Sequence, residues 1–171
     1  NCPINIIANT DTLTCQAVVN WEEIAATDNC EIAQISGTHS SGDIFDIGTT
    51  TVTYIATDGS ANVAICSFTV TVEDHEAPNL ICQNIEVILD NMGNATITAS
   101  DILASNLDNC DTGNVSIDID TFDCTNIGEN TVTVTATDIY GNVATCEAIV
   151  TVVSGGDFAL MCPNNITQLA P

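Results

Sequence analysis

The chain has 171 residues, with no Lys and no Arg against 23 Asp and Glu, so its formal net charge is -23. It therefore has nothing with which to neutralise nucleic-acid phosphates or an anionic membrane surface, and divalent cations are its natural partners. Hydrophobic residues make up 45% of the chain, rich in Val, Ile and Thr, which excludes a disordered acidic tail; no apolar run long enough to insert into a membrane occurs.

Patterning begins at the first residue, so no signal peptide is visible and the chain reads as a mature or excised piece. Asn1 to Asn9 supplies an opening strand, and Ala17 to Trp21 an alternating one that ends on a core anchor, Trp21. Val52, Tyr54 and Ala56 alternate with polar neighbours, as do Phe68, Val70 and Val72, and the intervening Asp58 to Asn62 predicts a hairpin turn. A short linker follows, Asp74 to Pro78. Asp90 to Asn94 predicts a further hairpin, and residues 101–105 a short helical turn. Val132, Val134 and Ala136, the turn Asp138 to Asn142, then Ala148, Val150 and Val152 repeat the strand-turn-strand pattern.

That repetition is gapless. Shifting the chain by 80 positions places Cys2 on Cys82, Asp28-Asn29-Cys30 on Asp108-Asn109-Cys110, Ala56-Thr57-Asp58 on Ala136-Thr137-Asp138, Asn62 on Asn142 and Cys66 on Cys146. The same step carries Cys82 to Cys162. The expected organisation is all-β: two tandem immunoglobulin-like β-sandwich domains, 1–73 and 80–153, joined by a linker at 74–79, with 154–171 holding a linker and the first strand of a third repeat.

Cys2-Pro3-Ile4-Asn5-Ile6, Ala17 to Trp21, Thr27 to Cys30, Ser41 to Phe45, Gly48 to Tyr54, Ala56 to Asp58 and Cys66 to Val72 together resemble the hyalin repeat (HYR) domain, an immunoglobulin-like module. Residues 80–153 resemble a divergent version found in tandem arrays on secreted surface proteins of Bacteroidetes, with Gln83 and Asp101 where the first repeat has Pro3 and Trp21. The resemblance implies extracellular adhesion or a structural stalk, and no catalytic residues.

Nine cysteines and no Cys-x-x-Cys pair favour disulfides in an oxidising compartment over a metal-thiolate site. Each repeat permits three connectivities. The economical solution joins first and last strands, Cys2 with Cys66 and Cys82 with Cys146, leaving Cys15 for Cys30 and Cys110 for Cys124. Cys162 is left over, either because the array is cut or because the terminal strand is donated to a neighbouring molecule.

Strand direction gathers Asp108, Asn109, Asp111, Asp138 and Asn142 at one pole of the second repeat, where Asp74 and Glu76 of the linker arrive. Calcium takes six to eight oxygens, so this pole is a candidate calcium site. Asp28, Asp58 and Asn62 are the corresponding set on the first repeat, and Asp157 is a donor for a next one. Taken singly, Asp and Asn in turns serve their own backbone amides. His39 and His75 are expected in solvent, and Asn94, Asn114 and Asn165 open N-glycosylation patterns.

No catalytic motif is present. The expected function is a non-catalytic structural or adhesive segment of a long extracellular repeat protein or surface filament, at the cell surface or secreted, with neighbouring repeats as partners. The alternative is a calcium-dependent module that binds surface glycans or cell-surface proteins, with Tyr140 as the exposed aromatic.

Overall fold

The computed structural model describes residues 2–29 and 32–155. In chain order the strands are β1 (Ile6–Asn9), β2 (Gln16–Val19), β3 (Ile32–Gly37), β4 (Asp43–Asp46), β5 (Gly48–Asp58), β6 (Val63–Glu73), β7 (Asn79–Cys82), β8 (Ile85–Ile88) and β9 (Asn94–Thr96). A four-residue helix, α1 (Ala99–Ile102), precedes β10 (Leu103–Leu107), β11 (Asn114–Ile117), β12 (Thr121–Asp123), β13 (Gly128–Thr137) and β14 (Val143–Val153). The molecule is an all-β sandwich protein. Packing groups the described residues of Asn1–Ile81, Ser105–Ser116 and Thr135–Thr145 into one compact unit, and those of Cys82–Ala104, Ile117–Val134 and Cys146–Pro171 into a second.

In the first unit, strict alternation along β6 buries Phe68, Val70 and Val72 and turns Ser67, Thr69 and Thr71 outward. β5 pairs antiparallel with β6, Val52 facing Phe68. β3 extends the sheet beyond β5, with a bulge between Ile32 and Gln34. β1 runs parallel to β6, Ile6 opposite Val70, so the opening and closing strands lie side by side and point the same way. β2 and β4 form the facing two-stranded sheet and supply Ala17, Val19 and Phe45 to the core. Trp21 closes one end of it edge-on to Phe68 and Phe45, ring centroids 5.3 and 6.0 Å away, and its Nε1 donates to the Tyr54 hydroxyl at 3.3 Å. On the outer face Thr49 meets Thr71 and Thr53 meets Ser67 at 3.0 Å, cross-strand hydroxyl pairs of the kind that reinforce antiparallel ladders.

A second four-stranded sheet has the order β11-β13-β14-β8. In the second unit β8 lies parallel to β14, and Leu89, Ile97, Ile102, Phe122, Val132, Val134, Ala148, Val150 and Val152 are buried. The helical turn falls at Ala99–Ile102, where Thr98 N donates to Asp101 Oδ2 at 2.7 Å. The Asp90–Asn94 hairpin is corrected. Asp90 does turn the chain, accepting from Met92 N and Asn94 N, but β8 then pairs with β14 and β9 with β12, so the turn connects strands of different sheets.

Three disulfides are formed among the described residues: Cys2–Cys66, Cys82–Cys146 and Cys15–Cys110. The third corrects the expected Cys15–Cys30 and Cys110–Cys124 pairs. Cys15 and Cys110 lie 95 residues apart in sequence, yet their Cα atoms are 4.6 Å apart, within disulfide reach. Cys124 is a free, exposed thiol in the 3-10 turn Cys124–Asn126, and Cys30 and Cys162 lie outside the described residues. Closing loops of 64 and 95 residues stabilises by about 4–5 kcal/mol each in the chain-entropy limit.

Candidate cation site

Asp138 directly follows the long strand β13 and opens the turn into β14. Its Oδ1 accepts from Tyr140 N and Asn142 N and its Oδ2 from Asn142 Nδ2, all at 2.8 Å. Burial opposes its ionisation, but the Asn142 side chain and the turn amides outweigh it and hold the carboxyl below its ordinary value, so the group carries its charge. Asp58 builds the same turn in the first repeat, with Ser60 N and Asn62 N on Oδ1 and Asn62 Nδ2 on Oδ2, but there the turn is exposed.

Asp74 follows β6 and is 4% exposed. Its Oδ1 accepts from Thr10 Oγ1 at 3.2 Å, Glu76 N at 3.1 Å and Asn109 Nδ2 at 3.2 Å. Asp108 Oδ1 accepts from Cys110 N and Asp111 N, which shapes the Asp-Asn-Cys turn. Gly113 lets that turn close: its φ is +54° and a Cβ there would stand 2.2 Å from the Thr137 carbonyl oxygen, so only glycine fits.

Asp74, Asp108 and Asp138 all belong to the first compact unit, and a carboxylate oxygen from each lies within 4.8 Å of the others. At that spacing each charge pair repels by about 3 kcal/mol at an effective dielectric of about 20. No Lys or Arg exists anywhere in the chain to offset this. Asp74 Oδ2, Asp108 Oδ2 and Asn109 Oδ1 are also buried without a hydrogen-bond partner, as is Asn106 Oδ1. A buried acceptor left unmatched costs about 1–3 kcal/mol, and more when charged. The donor set is all oxygen, with no imidazole or thiolate in the cluster, which suits a hard cation such as calcium.

The nominated residues divide accordingly. The structure brings together Asp74, Asp108 and Asp138. Glu76 is exposed and offers Asp74 its backbone amide, while Asp111 is exposed and accepts from Gly113 N, so neither carboxylate joins the group. Asn142 turns its amide nitrogen to the Asp74 carbonyl and Asp138, buttressing both. Asp28 and Asn62 are exposed and Asp58 is half-buried, and all three lie outside the cluster, while Asp157 lies outside the described residues. From the sequence, Thr10 and Thr14 have no expected role and Cys15 is expected only as the partner of Cys30; the one signal for this segment is that Cys15 has no counterpart at the 80-residue step. His75 pairs with Glu73 at 3.3 Å, whereas His39 is half-buried 5.0 Å from the Phe45 ring, which corrects its expected exposure.

A disulfide-bonded β-sandwich carrying an oxygen-rich acidic cluster defines the class of module. Residues 1–72 match the HYR domain family. The chain is similar to hyalin of Strongylocentrotus purpuratus, 36% identical over 98% of the chain and 15% of that protein, and to hyalin of Lytechinus variegatus, 34% identical over 60% of the chain and 21% of that protein. It also resembles the sushi, von Willebrand factor type A, EGF and pentraxin domain-containing protein 1 of Rattus norvegicus, 36% identical over 46% of the chain and 2% of that protein. The chain thus spans about a fifth or less of the length of these relatives. They are animal proteins, so the Bacteroidetes-type resemblance of residues 80–153 is not supported. Among solved structures, human mucin-like protocadherin EC1-2 is a loose likeness, 14% identical with a TM-score of 0.39 over 89% of the chain and 95% of that one. Protocadherin gamma B7 domains 1–4 are another, 12% identical with a TM-score of 0.39 over 89% of the chain and 49% of that one.

Proposed function

We propose that this chain is a non-catalytic, adhesion-type structural segment of a longer extracellular repeat protein, and that calcium at Asp74, Asp108 and Asp138 stiffens it. The observation that carries the reading is the cluster itself: three carboxylates crowded together, two with buried unmatched oxygens, in a chain without Lys or Arg. Three disulfides favour an oxidising, extracellular setting, and the hyalin relatives favour a repeat array with neighbouring repeats or cell-surface proteins as partners. An ion there would fasten three stretches of backbone that are distant in sequence: the segment after β6, the Asp-Asn-Cys turn and the β13–β14 turn.

The test is a calcium titration followed by melting. Millimolar calcium is expected to raise Tm and chelator to reverse it; a melting curve indifferent to both would overturn the reading.

A second reading, binding of surface glycans, is favoured by one hollow of about 450 Å³ beside Asp74, lined by Ile47, Glu73, His75 and the half-exposed Tyr140. A glycan array showing binding that Tyr140→Ala abolishes would support it, and silence would leave the structural role.

A further inference from the structure

We infer that the Cys15–Cys110 disulfide is a redox control on the cation site, so that its reduction weakens calcium binding and bound calcium protects it from reduction. The inference rests on the calcium reading above and adds its regulation.

Cys110 directly follows Asp108 and Asn109, the residues whose buried Oδ2 and Oδ1 lack partners. Cys15 follows the turn in which Thr14 N donates to Asp11 O at 3.0 Å, at the end of the segment that begins with Thr10. The disulfide thus staples the Asp-Asn-Cys turn to the Thr10–Cys15 segment. Asn109 spans the same gap, its Nδ2 donating to Thr10 Oγ1 at 3.1 Å, Thr14 O at 3.2 Å and Asp74 Oδ1 at 3.2 Å. Thr10 Oγ1 in turn donates to Asp74. Without the sulfur bridge, the hydrogen bonds of Asn109 are left to tie the Asp-Asn-Cys turn to the Thr10–Cys15 segment, while the three carboxylates repel one another. The bridge therefore preorganises the donors, and preorganisation converts to affinity. Neither Cys2–Cys66 nor Cys82–Cys146 contains a residue adjacent in sequence to the cluster.

The chemistry is ordinary thiol-disulfide exchange with an external dithiol. A dithiol thiolate attacks one sulfur, the mixed disulfide is resolved by the second thiolate, Cys15 and Cys110 are each left as a protonated thiol, and the two-electron reductant departs as a disulfide. Linkage makes the effect reciprocal: the factor by which the bridge tightens calcium is the factor by which calcium favours the bridge.

Two measurements test this. Calorimetric calcium titration of the oxidised chain and of the C15S/C110S variant is expected to show at least tenfold weaker binding in the variant, with far-UV circular dichroism and Trp21 fluorescence checking its fold. The second needs no variant: dithiothreitol/disulfide redox titration of the wild-type chain, read by differential alkylation and peptide mapping, with and without saturating calcium. Calcium should lower the Cys15–Cys110 midpoint by about 30 mV per tenfold of coupling and leave the other two bridges unmoved. Equal calcium affinity in the two chains, or an unmoved Cys15–Cys110 midpoint, overturns the redox control while sparing the calcium reading. Absence of calcium binding by the oxidised wild-type chain overturns both.

Discussion

Asn109 donates its side-chain amide to Asp74 Oδ1 at 3.2 Å, reaching a carboxylate 35 residues earlier in the chain and leaving Asp74 Oδ2 buried and unmatched. One oxygen of Asp74 is thus committed to holding the protein together and the other is spare. A cation that binds only the folded chain stabilises it by about 2.7 kcal/mol at a hundred times its Kd, and a chain of this size shifts Tm by about 2–4 °C per kcal/mol. Calcium at that excess should therefore raise Tm by about 5–10 °C. Asp74→Asn and Asp108→Asn should lose most of that increment while melting no lower than wild type in chelator, because each also relieves repulsion. Differential scanning calorimetry in calcium and in chelator reads both arms; an undiminished calcium increment in Asp74→Asn would exclude it as a ligand.

The two Asp-x-x-x-Asn turns make a second prediction. Ala61 has a φ of +67°, and Gly141, 80 positions on, has +94°. The left-handed region costs a residue with a Cβ about 1–2 kcal/mol, whereas glycine enters it freely. Ala61→Gly should raise stability by up to about 1 kcal/mol after its unfolded-state entropy is set against the relieved strain. Gly141→Ala should lower it by about 1 kcal/mol or more, although nothing lies within 4 Å of the added carbon. Urea midpoints of both variants in chelator check the pair, and effects of the same sign would contradict it.

Acid should remove the stability that three hydrogen-bonded carboxylates contribute. The Asn62 side chain and backbone hold Asp58 below the ordinary value of 3.8, the Thr98 backbone and hydroxyl do so for Asp101, and the Thr125 hydroxyl and backbone for Asp123. A carboxylate with a depressed folded pKa contributes stability that is fully present above its unfolded value and is lost as pH falls through the folded one. Between pH 6 and pH 2, in chelator, the wild-type urea midpoint should drop relative to that of the Asp58→Asn, Asp101→Asn, Asp123→Asn triple variant. Parallel profiles would show that these hydrogen bonds do not discriminate the charged form.

What was legible in the sequence had a short period. Alternation announced β5, β6, β13 and β14, and the recurrent Asp-to-Asn spacing announced the turns at Asp58 and Asp138, because both are decided by neighbours a few residues away. The Asp90 turn shows the limit: its local chemistry was readable, but which strands its flanks pair with depends on sheets assembled from distant segments. The Cys15–Cys110 bridge was hidden for the same reason, since pairing within each repeat is the economical solution until the two Cα atoms are seen 4.6 Å apart. Glu76 and Asp111 sit as near the cluster in sequence as its members, and only burial separates them from Asp74 and Asp138.

The first unit's core gives the last prediction, because its anchor reports on itself. Trp21 is the sole tryptophan, and Phe68 meets its ring edge-on with centroids 5.3 Å apart beneath a sheet closed by the Cys2–Cys66 bridge. Removing a buried phenylalanine costs about 3–5 kcal/mol through lost transfer energy and the cavity left behind. Phe68→Ala should therefore lower the urea midpoint seen by Trp21 fluorescence by that equivalent. It should also red-shift the native emission, as water reaches an indole whose Nε1 is already spoken for by Tyr54. Reducing the disulfides should deepen the loss, since the Cys2–Cys66 bridge restrains the unfolded chain by closing 64 residues. A native emission spectrum unchanged in Phe68→Ala would mean that the Trp21 pocket collapses onto the gap, and the cost should then fall to the lower end of that range.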